Sequence, residues 1–162
     1  MSTFPELPVD LPTGISWSAA DVAPPPLDYA RVATWIEAVI EGYGYRLGGL
    51  DYLFCSDAFL LDLNRTHLDH DTYTDIITFP TAELPRVGAE IFISTERVAE
   101  NALRYGATLE TELLRVIIHG VLHLCGISDK GEAAATMRAA EAAALVRYTD
   151  TPHTAAPRTD VE

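Results

Sequence analysis

Cysteine, lysine and long apolar runs are all scarce in this chain of 162 residues. Cys55 and Cys125 are its two cysteines. Two thiols without Cys-x-x-Cys spacing exclude a disulfide scaffold and a thiolate zinc ribbon, and they fit a reduced compartment. No apolar stretch approaches the roughly 20 residues needed to cross a bilayer, so no membrane span is expected. No segment repeats. The N-terminal stretch carries Glu6 and Asp10, where a secretory leader would carry basic residues and then an apolar run. A soluble, cytoplasmic protein is the expectation. Positive charge is scarce too: 11 Lys and Arg face 24 Asp and Glu, a formal net charge of −13, and Lys130 is the single lysine. Such a chain repels phosphates at long range, which excludes nucleic-acid binding through a broad basic surface. Acid in this excess suits a salt-rich host cytoplasm, where charge is heavily screened.

What the chain does have is concentrated between Val116 and Asp129. Two imidazoles, His119 and His123, stand four residues apart in the apolar run Val116-Ile-Ile-His-Gly-Val-Leu-His-Leu-Cys125, and Gly126 and Asp129 follow. On an α-helix, residues i and i+4 share a face about 6 Å apart, so both rings can converge on one ion. Glycine tolerates the left-handed conformation that ends a helix, which would let the chain turn back and bring Asp129 to the same point. Two His and one carboxylate, with a fourth position left to water, form the pattern of catalytic rather than structural zinc sites. The plain alternative is two core histidines bonded to backbone carbonyls. Burying two unpaired imidazoles among Leu114, Ile117, Ile118, Val121, Leu122 and Leu124 would cost free energy that a shared cation removes, and metal is favoured.

Residues 1–13 are proline-rich and acidic and read as an extended lead-in; 149–162 have the Thr/Pro/Asp composition of a disordered, solvated tail, His153 included. Between them, 14–148 read as one domain. Strands are predicted at Ile15–Ser18, Leu50–Cys55, Asp75–Phe79 and Glu90–Ser94 from their β-branched and aromatic content. Asp28 caps a helix that presents Val32, Trp35, Ile36, Val39 and Ile40, and Pro24-Pro25-Pro26 breaks the chain before it. Ser56 or Asp57 caps the next, with Leu60, Leu61 and Leu63 inward. Ser94 caps a third that ends at Gly106, Thr108 caps the histidine helix, with Glu110 and Glu112 at its positive end, and an Ala-rich helix spans about Glu132 to Tyr148. The expected architecture is α+β: one mixed sheet of about four strands, about five helices, and the metal site on the central buried helix.

The segment His119-Gly-Val-Leu-His123-Leu-Cys-Gly126 resembles the HGxLHLxG core of the YbeY family, metal-dependent endoribonucleases of ribosomal RNA maturation. Leu63-Asn64 with Thr74-Asp75-Ile-Ile-Thr-Phe79-Pro80 resembles that family's LN…TDVLSFP segment, and Gly88-Ala-Glu-Ile91-Phe-Ile93-Ser94 its GDIxIS strand. Met137 and Glu141 fall where the family has a Met and a Glu on its last helix. The likeness runs from about residue 14 to 148 in the same order. Asp129 stands where the family usually has a third ligand histidine, His67-Leu68 stand where it often has a Tyr-Arg pair, and Ala89 stands at its GDI aspartate. The resemblance implies a single-strand-specific endoribonuclease acting in 16S 3′-end maturation and ribosome quality control. His119, His123 and Asp129 would hold one divalent ion, with zinc expected. Arg65, His67 and His70 would meet RNA phosphates, with Arg65 as the candidate replacement for the missing arginine. Asp75 would orient a ligand histidine from behind or cap a strand-end turn. Single-stranded rRNA is the implied partner, together with ribosomal proteins or an assembly GTPase.

Two other readings share these residues. His119, His123, Gly126 and Asp129 keep the offsets of the HExxHxxGxxH signature of metzincin-like zinc proteases, but Gly120 stands where that chemistry needs its glutamate base. In the other, the ion is structural and the protein is a non-catalytic ribosome assembly factor. The charge balance yields its own prediction: Tm and activity are expected to rise between dilute buffer and molar salt, and an optimum in dilute buffer would contradict a high-salt host.

Overall fold

Asp28, Ser94 and Thr108 each accept a hydrogen bond from a backbone N–H in the first turn of the helix that follows, so three helix starts are set by local chemistry. The computed structural model describes residues 14–68 and 74–153. The lead-in 1–13, His70 and residues 154–162 of the expected tail lie outside the described residues. The elements are β1 (Ile15–Ala19), α1 (Tyr29–Gly42), β2 (Arg46–Cys55), α2 (Asp57–Leu68), β3 (Ile76–Pro80), β4 (Arg86–Ser94), α3 (Thr95–Tyr105), α4 (Leu109–Leu124) and α5 (Ala133–Thr149). The sheet runs β1-β2-β4-β3, with β1, β2 and β4 parallel and β3 antiparallel to β4. The described residues thus form an α+β domain with a four-stranded mixed sheet and five helices, as the residue pattern predicts. None of these helices is long and apolar enough to cross a membrane.

Alternation along the strands divides the core in two. Leu50, Tyr52 and Phe54 of β2 and Val87, Ala89, Ile91 and Ile93 of β4 meet α1, α4 and α5 on one face. Cys55, Ile77, Phe79 and Phe92 meet Phe59, Leu60 and Leu63 of α2 on the other. Leu61, expected inward, is half-buried outside that second cluster; the inward stripe of α2 is completed by buried Asn64. Ser56 rather than Asp57 caps α2, its Oγ accepting from the Phe59 N–H at 3.1 Å. Two strands begin earlier than their apolar content indicates. Arg46–Gly49 and Arg86–Ala89 pair with each other across an irregularity between Leu47 and Gly49, where Gly49 takes φ +119°. At the C-terminal end, Thr149 belongs to α5 and the chain continues against α1. His153 lies 3.1 Å from Arg31 Nη1 and 3.3 Å from Asp28 Oδ2, still exposed on the surface.

Helix α4 is central. Leu113, Val116, Ile117, Ile118, Val121 and Leu122 are all buried, each contributing roughly 1.5–3 kcal/mol by leaving water, which fixes the helix axis. Gly120 lets it approach the sheet edge: a Cβ there would lie 2.9 Å from Ile76 Cδ1 and 3.5 Å from Thr78 Cγ2, both on β3. Gly120→Ala is expected to change stability by less than about 1 kcal/mol, because the gain in helix propensity offsets a small shift of the Ile76 side-chain tip. Gly120→Glu, which would restore the protease signature, is expected to cost about 3 kcal/mol or more by burying an unpaired carboxylate against β3. Chemical denaturation of both variants measures the difference.

Candidate metal centre

The C-terminal end of α4 closes as a Schellman motif. The Gly126 N–H donates to His123 O at 3.0 Å and the Ile127 N–H to Leu122 O at 3.1 Å, with Gly126 at φ +97°. This reversal carries the chain back along the helix, and Asp129 Oδ2 comes to 3.1 Å from His119 Nε2. The other ring nitrogen of His119 is held as well: Nδ1 donates to Glu141 Oε2 at 2.6 Å. Glu141 sits on α5 with its side chain 7% exposed, and its second oxygen, Oε1, accepts from Arg115 Nη1 at 3.4 Å. Arg115 in turn forms a two-pronged pair with buried Glu112, Nε to Oε1 at 3.0 Å and Nη2 to Oε2 at 2.7 Å. Asp75 Oδ2, at the start of β3, lies 4.0 Å from Arg115 Nη2.

These contacts set the protonation of the group. The hydrogen bond to Glu141 keeps the His119 imidazole charged to higher pH than usual, opposed by burial and reinforced by the charges of Glu141, Asp129 and Asp75. Burial pushes the Asp75 carboxyl up against the pull of Arg115. Pairing with Glu112 raises Arg115 further still, so it is a permanent cation.

Of the three predicted ligands, the structure brings His119 and Asp129 together. His123 lies one turn further along α4 with an exposed side chain. Among the described residues, no group of three His, Cys, Asp or Glu side chains converges closely enough to hold a cation as it stands. The donor set nevertheless fits a divalent ion: one imidazole with Nδ1 anchored by a buried carboxylate and Nε2 turned to a second carboxylate is the arrangement that orients metal-binding histidines. Glu141 takes the orienting role considered for Asp75, whose carboxylate is directed to Arg115 instead.

Arg65 and His67 lie exposed on the last turn of α2, the His67 ring edge-on to Phe79 at 6.0 Å. Phe79 faces α2, whereas Ile76 and Thr78 face α4, so this pair stands across the sheet edge from the histidine helix. His70 falls outside the described residues. Residue reasoning missed Glu112 and Arg115 as part of the site and had Glu141 only by resemblance. A signal was present: Glu112, Arg115 and His119 recur at i, i+3 and i+7, a polar stripe on an otherwise apolar helix.

The described residues thus form a four-stranded α+β domain whose buried central helix presents a carboxylate-anchored histidine. Residues 25–149 match the family model described as endoribonuclease YbeY. A protein named endoribonuclease YbeY from Porphyromonas gingivalis is 45% identical over 138 residues, covering 85% of this chain and 91% of its own length. One of the same name from Bacteroides thetaiotaomicron is 45% identical over 117 residues, 72% of this chain and 85% of its own. The solution structure of a Thermotoga maritima protein superposes with a TM-score of 0.55 at 24% identity, over 82% of this chain and 92% of that one, which speaks to the fold. The chain belongs to the YbeY endoribonuclease family.

The proton shared by His119 with its two acids has a stability consequence. Its value in the folded state lies above the ordinary 6.5; the contribution is therefore complete below that pH and is lost as pH rises through the folded value. Tm of the metal-free protein, compared with that of His119→Asn, is expected to show an advantage at pH 6 that shrinks toward pH 9. A difference independent of pH would contradict the assignment.

Proposed function

We propose that this protein is a metal-dependent endoribonuclease that cleaves single-stranded ribosomal RNA. The observation that carries the reading is the His119 imidazole held between Glu141 and Asp129 at the end of α4, in a chain that belongs to an endoribonuclease family. His119, His123 and Asp129 would hold one divalent ion, with zinc the first candidate for the donor set. Such an ion, when bound, supplies a Lewis acid for a phosphoryl oxygen and a hydroxide source near neutral pH. The chain's own residues do the rest. Glu141 keeps the proton on Nδ1 and so directs Nε2 toward Asp129, and Asp129 would supply the carboxylate ligand. Arg65 and His67, from the other side of β3, and His70 would offer donors to the RNA backbone. Processing at the 16S 3′ end, ribosome quality control, ribosomal proteins or an assembly GTPase as partners, and a cytoplasmic setting complete the proposal.

Gly120 argues against peptide hydrolysis. Its position is packed on Ile76 and Thr78 of β3, so a general-base glutamate has neither the residue nor the room. A zinc protease would also need the third convergence on the ion that the nuclease needs, and gains nothing from the anchored imidazole that the nuclease lacks.

The test is cleavage of labelled single-stranded and duplex RNA by purified protein, with Zn2+ and with chelator. Cleavage of the single strand is expected to depend on metal and to fall at least about 10²-fold in His119→Gln, with the circular dichroism of the fold retained. Equal cleavage with chelator or in His119→Gln would overturn the reading. Metal-dependent peptide hydrolysis would favour the protease. Loss of the fold on metal removal, with RNA untouched in either form, would favour an assembly factor with a structural ion.

A further inference from the structure

We propose that Arg115 is a positioning residue for the metal centre, acting through Glu141 to fix the orientation of the His119 ring. With His119 as a metal ligand, as proposed above, the chain of contacts has a direction. Glu112 is 3% exposed and cannot move without leaving the core. Its two oxygens take Nε and Nη2 of Arg115 at 3.0 and 2.7 Å, which fixes the plane of the guanidinium. Nη1 is then aimed across the α4–α5 contact and reaches Glu141 Oε1 at 3.4 Å. That contact sets the rotation of the Glu141 carboxylate, whose Oε2 takes the His119 Nδ1 proton at 2.6 Å. Nε2 is thereby pointed at Asp129. Every group from Glu112 to His119 is tied to the next, with the two carboxylates buried and the guanidinium and imidazole partly exposed.

The charges require the same residue. Glu112 and Glu141 are both buried, and two desolvated carboxylates need a cation between them. Lysine would supply the charge, but its three donors share one nitrogen at the end of a flexible stem in place of a rigid planar fork. It could satisfy Glu112 or orient Glu141, not both. A purely structural ion pair between helices would also explain the burial. The two roles part over what happens at His119: a positioning residue changes that imidazole's hydrogen bond and the affinity for metal, whereas a structural one changes stability alone.

Arg115→Lys and the double variant Glu112→Gln/Arg115→Gln separate them, the second leaving no orphaned charge at position 112. Two readouts apply to protein that has seen no RNA: the His119 Nδ1–H proton resonance in histidine-labelled, metal-free protein, and the Zn2+ dissociation constant from chelator competition. In both variants the resonance is expected to broaden by exchange with water and Zn2+ binding to weaken about tenfold, with the fold retained by circular dichroism. A sharp wild-type resonance and wild-type affinity, in variants whose Tm alone has dropped, would overturn the proposal. Should Arg115→Lys fail to fold, the double variant carries both readouts. Wild-type protein that binds Zn2+ and shows the protected resonance yet leaves RNA intact sinks the nuclease reading alone.

Discussion

The structure depends on a buried carboxylate, Glu141, that is held from both sides. An ionised acid this far from water is tolerated only when its partners are in place, and here they are Arg115 and His119 on the neighbouring helix. The pairing locks α5 against α4 at one register. It also decides which nitrogen of His119 faces outward. A single polar contact thus serves packing and site geometry together, and the rest of the domain can be read as the means of keeping water away from it.

That means is the sheet. Three parallel strands present an apolar face on which α1, α4 and α5 lie, and β3 completes the sheet at the edge nearest Gly120. The absence of a side chain at Gly120 allows α4 to settle on Ile76 and Thr78, and the left-handed turn at Gly126 returns the chain toward its own helix. Both glycines act on position: the first sets the depth of the histidine helix, the second the path of Asp129. His119 and Asp129 therefore emerge from a rigid helix end and a short hydrogen-bonded turn, which limits how far they can stray from each other.

Much of this was legible in the residues. Caps at Asp28, Ser94 and Thr108, the stop at Gly106, the apolar stripe of α1 and the turn at Gly126 are local signals, and each marks the boundary observed. The first halves of β2 and β4 were not legible, because Gly48, Gly49, Gly88 and Ala89 carry almost no side chain and the strand character there comes from the pairing of β2 with β4. The histidine pair and Asp129 stood out by spacing. Glu112 did not, since an acid in the first turn of a helix already has a reason to be there in the helix dipole. Its i, i+3 pairing with Arg115 lies within one helix, but that of Arg115 with Glu141, 26 residues further on, depends on how two helices cross, which no local pattern encodes.

The lengths of the strands carry a last consequence. The inner strands β2 and β4 have ten and nine residues, while the two at the borders, β1 and β3, have five each. A sheet border offers unsatisfied backbone groups to any passing chain, and a short one ended by proline, as β3 is at Pro80, offers few. Joined to a surplus of negative charge that makes copies repel, this leaves the border beside the histidine helix little able to recruit a stray strand.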